Sequence, residues 1–158
     1  MKIVTRNLPD FRDPESIATD QLKNIWIDSE VEAVESANFL PKLMRSDFAL
    51  ALTAIGSGLD DPDQNFYENY ICDSKRNYAR YCSREVDALI DRQSTESDSN
   101  KRREVVWEID RRLQEDIARP ILFYMRKATC WSPALKGLKL QVNSIYNGWR
   151  MDDIWLDR

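Results

Sequence analysis

The sequence predicts an α/β fold, a mixed sheet flanked by helices, and two observations carry that prediction. In the first third, short apolar segments alternate with segments of helical periodicity. The resulting order, strand–helix–strand–helix–strand, makes a sheet with at least partly parallel strands. Further on, "SREVDALIDRQ" and "SDSNKRREVVWEIDRRLQEDIA" read as two helices, the second repeating Val105, Ile109 and Leu113 at every fourth position. At 158 residues, 42% hydrophobic and 32% charged, the chain is long enough to bury a core. No repeat, low-complexity tract or linker interrupts it, so residues 1–158 read as a single domain.

Each element has its own local reason. "KIVTR" (residues 2–6) is a short apolar strand. In "DPESIATDQLKNIWI", Asp13 is placed to cap a helix, Pro14 suits its first position, and Glu15 favours the positive end of the dipole. Ile17, Leu22, Ile25 and Trp26 form its expected inner face. "SEVEAVES" alternates Val31 and Ala33 with glutamates, a strand with one wet face, and "ANFLPKLMRS" is a helix starting near Ser36 or Asn38 with Pro41 in its first turn. "DFALALTAI" is continuously apolar, as in a strand covered on both faces.

The next helix starts at "DDPDQ", with Asp61 as cap, Pro62 first, Asp63 next and Gln64 closing a capping box. Asp98 or Ser99 caps the long helix, along which Val106, Leu113 and Ile117 fill the same side. "RPILFYMRKATCWSP" reads as an apolar strand or strand pair with Cys130 in the core, and "LKGLKLQVN" as another strand. The tail has a turn at Asn147-Gly148 and the aromatics Tyr146, Trp149 and Trp155; Trp149, Ile154, Trp155 and also Trp131 are expected to pack onto the sheet.

Composition excludes several classes of function. A net charge of −4 argues against a nucleic-acid partner, and clusters such as "KRRE" mix both signs as solvated faces do. No apolar run approaches the roughly 20 residues of a membrane-spanning helix. The absence of histidine removes the commonest general base and metal ligand. Cys72, Cys82 and Cys130 lack the CxxC spacing of a zinc site; Cys72 and Cys82 bracket "DSKRNYARY" and either close it as a disulfide or remain thiols. "KIVT" follows Met1 with no signal-like segment, so the expectation is a cytoplasmic chain or the downstream part of a longer one.

The chemically suggestive stretch is "AIGSGLDDPDQNFYENY", at the carboxyl end of the third strand, where α/β sheets bind ligands. An EF-hand reading fails, because the sixth loop position is Phe66 and the twelfth Cys72. Asp60 and Glu68 could serve a carboxylate-dependent hydrolase, but helix capping accounts for most of the acids here. Asp60 is the one acid left over from capping.

The ordered blocks "TRNLPDFRDP", "GSGLDDPDQNFYENYIC", "RNYARYC", "RPILFYMRKATCW", "KGL" and "NSIYNGWRMDDIWLD" resemble one family throughout the chain. It is the family 5, peptide-type group of periplasmic solute-binding proteins of ABC importers, and the resemblance is to their C-terminal lobe. The DDPD and NGWR blocks are the most specific. The resemblance implies the C-terminal lobe of a periplasmic-binding-protein-like (type II) fold. That lobe is incomplete, since members are longer chains and this one starts at a strand inside it. It implies binding rather than catalysis, with no enzyme activity, cofactor or metal. In such receptors an N-terminal and a C-terminal lobe close on a peptide or similar small solute, and the closed form docks on a membrane permease.

The family's loop before the DPD block faces the crevice, so the implied ligand-binding residues are Gly56, Ser57, Gly58, Leu59 and Asp60. Glycines would let backbone N–H groups approach the solute, Ser57 adds a hydroxyl, and Asp60 is the first choice for a polar contact. Peptide-binding relatives often place an aspartate three residues before the DPD block to pair with the ligand's amino group; Gly58 stands there in this chain. The resemblance also favours the Cys72–Cys82 disulfide and a periplasmic location as part of a full-length receptor. Alone, such a lobe is expected to bind solute weakly and to self-associate, for instance as a homodimer. The alternative is a stand-alone protein-interaction domain reusing the former crevice.

Overall fold

Strand β1 (Lys2–Arg6) is the centre of the first of two units into which the chain's contacts divide. That unit is Met1–Ile55 with Asp73–Tyr81, and the second is Gly56–Cys72 with Cys82–Arg158. The structure is a computed structural model that describes residues 1–125, 128–140 and 151–157. Tyr146, the Asn147-Gly148 turn, Trp149 and the end of "LKGLKLQVN" lie outside the described residues.

In the first unit β1 pairs in parallel with β2 (Glu30–Val34) along its whole length, Lys2 opposite Glu30 and Arg6 opposite Val34. On its other side it pairs in parallel with β3 (Leu50–Ala51), giving the order β2-β1-β3. The parallel α/β arrangement expected from the alternation is therefore present. Ile3, Val4 and Thr5 are at most 2% exposed, because a central parallel strand is covered on both faces. On one face Val4 packs with Phe39 and Leu43 of α2 (Ser36–Met44), joined by Val34, Phe48, Ala51 and Tyr78. α1 (Pro9–Lys23) packs on β1 and β2.

Several local expectations are corrected. α1 starts one turn early, with Pro9 in the first turn and Pro14 inside, and its cap residue Leu8 offers no side-chain acceptor. Its buried residues are Glu15 and Thr19; Ile17, Ile25 and Trp26 are exposed. In β2 the sheltered positions are Glu32 and Val34 instead of Val31 and Ala33, since Val34 joins the α2 cluster and Glu32 pairs with Lys42 of α2 at 3.0 Å. Pro41 lies beyond the first turn of α2. β3 is a two-residue edge strand with Leu50 exposed, not a long strand covered on both faces.

The second unit is built on α3 (Pro62–Asn69), α4 (Arg84–Thr95) and α5 (Ser99–Glu115). Val105, Ile109 and Leu113 form the buried stripe of α5, as their spacing requires, and α4, which packs on it, buries Val86 and Ile90. Phe66 and Tyr70 meet edge to face with centroids 6.5 Å apart. Cys72 and Cys82 are joined as a disulfide with Cα atoms 4.4 Å apart. Ile117, Cys130, Trp131 and Trp155 are exposed and do not pack as expected. The described part of "RPILFYMRKATCWSP" forms no strand. β4 (Leu135–Lys136) and β5 (Trp155–Leu156) pair antiparallel, and Gly137 lets them meet: at φ 77°, a Cβ there would lie 1.9 Å from the Asp153 carbonyl oxygen.

Three helices end in one device without its usual glycine. The N–H groups of Ile27, Asp47 and Ala118 reach back to the carbonyls of Leu22, Lys42 and Leu113 at 3.0, 3.2 and 3.0 Å. The residue before each donor, Trp26, Ser46 or Ile117, takes a left-handed φ of 63°, 53° or 51°. Trp26 is 95% exposed, so its side chain returns little packing for the strain. Trp26→Gly should therefore stabilise the chain by about 1 kcal/mol in urea unfolding; a loss of stability would contradict this account of the helix end.

Candidate functional site

The loop Gly56–Asp60 runs directly into α3, and the first turn of α3 is fixed from three directions. Asp61 caps the helix by accepting the Asp63 N–H at 2.9 Å. The same carboxylate takes a two-pronged hydrogen bond from Arg102 of α5, at 2.7 and 2.9 Å. Arg102 Nε donates to Gln93 Oε1 at 3.1 Å, and the amide of Gln93, fully buried on α4, donates to Asp63. The Ser94 hydroxyl completes the set on Asp63 at 3.0 Å. A capped helix start is thus tied to both neighbouring helices.

The loop itself is held by Gln64, which makes no capping box. Its Oε1 accepts from the Gly58 N–H at 3.2 Å and the Ser57 hydroxyl at 3.1 Å, and its Nε2 donates to Glu68 at 3.1 Å. Ser57 Oγ also accepts the Leu59 N–H at 3.2 Å and contacts the Leu59 carbonyl. The N–H groups of Gly58 and Leu59 are therefore satisfied inside the loop. Gly58 is not in the left-handed region, and an added Cβ would sit 3.8 Å from Gln64 Oε1, an ordinary contact. What the loop turns outward is the Leu59 side chain, 63% exposed, the Asp60 carboxylate and Gly56.

Leu59 borders an open depression of about 590 Å³ that Asp61, Asp63, Tyr67, Glu68, Glu96 and Arg102 also line. That volume lies within the range of small-ligand sites. Four carboxylates face one guanidinium there, so the field favours a cationic group. The hydrogen bonds from Arg102 hold the Asp61 carboxyl below its ordinary value of 3.8 against the opposing effect of burial, with the Asp63 N–H helping. Tyr67, hydrogen-bonded to Asp91 at 2.7 Å, is pushed up by that bond and by burial.

Sequence reasoning placed Gly56 to Asp60 before the helix and named Asp61 as its cap. It missed Arg102, Gln93 and Tyr67. Arg102 sits in "KRRE", which reads as a solvated face, and is 41 residues from Asp61, so no local pattern joins them. Among the described residues no group of three or more Asp, Glu, Cys or His could hold a metal ion.

Over about three-quarters of its length the chain has the fold of part of an ABC-transporter substrate-binding protein. It is similar to CtaP from Listeria monocytogenes, at 23% identity and a TM-score of 0.64 over 73% of this chain and 24% of that one. It is also similar to DppA from Helicobacter pylori, solved with the peptide STSA, at 18% identity and a TM-score of 0.67 over 74% of this chain and 24% of that one. A third likeness is to NikA from Staphylococcus aureus, solved with Ni(L-His)2, at 20% and 0.68 over 75% of this chain and 26% of that one. The chain spans about a quarter of the length of each. No protein-family model matches the chain, and neither does any curated protein.

The linkage sign at Asp61 follows from its depressed pKa. The folded carboxyl gives up its proton more readily than an unfolded one, so the pair's contribution is present above about pH 4 and lost as the pH falls below it. Both side chains are about a third exposed, which keeps the pair's worth to about 1 kcal/mol. Arg102→Met should lower stability by more than that amount, because the buried Gln93 Oε1 loses its donor as well, and should flatten this acid limb, whereas Asp61→Asn should keep the cap and lose only the charge pairing. Thermal melts from about pH 3 to pH 7 check both, and an Arg102→Met protein with an unchanged acid limb would refute the assignment.

Proposed function

We propose that this chain is a solute-binding lobe of an ABC-importer receptor, one wall of a crevice for a peptide or similar small solute. The carrying observation is the shared fold over three-quarters of the chain, which includes a neighbour solved with a bound peptide. The loop Gly56, Ser57, Gly58, Leu59 and Asp60 is the solute-facing element. The structure bears on how it would work. With two loop N–H groups turned inward to Gln64 and Ser57, recognition falls to side chains, Leu59 for apolar contact and Asp60 for a cationic end such as a peptide amine. Gly58 offers no carboxylate at the position where peptide-binding receptors of the resembled family often carry aspartate, and Asp60 takes that role from two residues on.

The role is binding and not catalysis, and the N-terminal lobe and permease are the partners it requires. The disulfide fits an oxidising location outside the cytoplasm. Exposed apolar residues Ile121, Leu122, Phe123 and Tyr124 support self-association of the isolated chain.

The test is an amide NMR titration of the chain with short peptides up to millimolar concentration. The expected result is weak binding, with Kd above about 0.1 mM because residues 1–158 are proposed to form one wall of the crevice, and shifts centred on Ser57 to Asp60. N-acetylation of the peptide should weaken it further. Tight binding by the isolated monomer, or shifts confined elsewhere, would contradict the reading.

A further inference from the structure

The most deeply buried side chains of α1 are polar, among the half-buried apolar residues Phe11, Pro14, Ala18 and Leu22, where a helix packed on a sheet ordinarily buries apolar ones. Its two buried residues are Glu15 and Thr19, one turn apart, and Glu15 is wholly shielded from solvent. Neither carboxylate oxygen of Glu15 has a hydrogen-bond partner among the described residues, and neither does the Thr19 hydroxyl.

Among the described residues, none of the charged groups on the elements packed against α1 makes an ion pair or hydrogen bond with Glu15. On β1 and β2, Lys2 pairs with Glu30 at 3.8 Å, and Glu32 pairs with Lys42 at 3.0 Å. The Arg6 guanidinium lies over the rings of Phe11 and Phe39, 5.3 and 5.5 Å from their centroids, and its buried Nε has no hydrogen-bond partner among the described residues. On α1 itself Lys23 pairs with Asp20 at 2.9 Å, and Asp10, Arg12 and Asp13 are exposed. An ionised Glu15 would thus be a buried charge without a counter-ion, which protein interiors avoid by protonation. Burial alone accordingly raises its pKa from 4.5 to about 7.

We propose that Glu15 is a proton-operated latch of the first unit: protonated, it lets α1 lie on β1 and β2, and on losing its proton it loosens α1 from the sheet. The folded unit keeps this proton to a higher pH than the unfolded chain does. Its stability is therefore full below about pH 4.5, falls as the pH rises, and levels off above about pH 7. A difference between 4.5 and about 7 corresponds to roughly a 300-fold rise in the opening equilibrium across that window. At about pH 7 half of the closed molecules have lost this proton.

The test pairs two measurements on the full chain. The first follows the side-chain carboxyl 13C shift of Glu15 against pH. The second follows amide hydrogen exchange of Ile3, Val4, Thr5 and the α1 backbone, corrected for intrinsic rates, in wild type and Glu15→Gln. The expected results are a titration near pH 7, a loss of protection of roughly 70-fold between about pH 5 and pH 8 in wild type, and a flat profile in Glu15→Gln. A Glu15 carbon titrating near pH 4.5, or a pH slope that survives in Glu15→Gln, would overturn the latch. Should the variant not fold, the wild-type carboxyl titration decides alone.

Discussion

Asp61 does two jobs with one carboxylate, and the geometry of the second unit depends on both. As a cap it sets where α3 begins, and so where the preceding loop must end. As the partner of Arg102 it ties that beginning to α5, and through Gln93 and Asp63 to α4. Without the cap, α3 would fray from its first turn; without the pairing, its start would be tied to α4 alone, through Asp63. Because Gln64 on that same turn holds Ser57 and Gly58, the loop inherits the rigidity of the joint. A recognition loop gains from such support, since an ordered loop has less entropy to lose on binding.

The loop's inward hydrogen bonding changes the chemistry expected of it. Glycines beside a strand end suggest backbone donors turned to a ligand, yet here those donors serve the loop itself. The exposed groups left over, Leu59 and Asp60, differ in kind: one offers apolar area, the other a charge. In the proposed receptor these would recognise a solute with an apolar portion beside a cationic end, and the acidic lining of the adjacent depression has the same sign.

How much was legible in the sequence depended on how local each cause was. Asp61 with Pro62, and Asp98 before the long helix, were readable because a cap and its N–H partners lie within three residues of each other. The stripe of Val105, Ile109 and Leu113 and the strands "KIVTR" and "SEVEAVES" were readable for the same reason. α1 was misplaced because Pro9 and Pro14 both suit a helix start and Leu8 gives no capping signal. The left-handed ends at Trp26, Ser46 and Ile117 carried no glycine to announce them. The phase of β2 was lost because Lys42 of α2 shelters Glu32, a tertiary pairing invisible in alternation. Arg102 and Gln93 were missed because their partners lie 41 and 30 residues away.

The central claim, that the loop before α3 is the solute contact of a receptor lobe, is tested most directly by photo-crosslinking. A photoreactive phenylalanine derivative at position 59 would be irradiated with short peptides at millimolar concentration. The same group at Trp107, exposed on α5, serves as the control. The account predicts peptide adducts at position 59 that fall away on Asp60→Asn and under competition by unlabelled peptide, with only background labelling at position 107. Equal labelling at the two positions, indifferent to competitor, would contradict it.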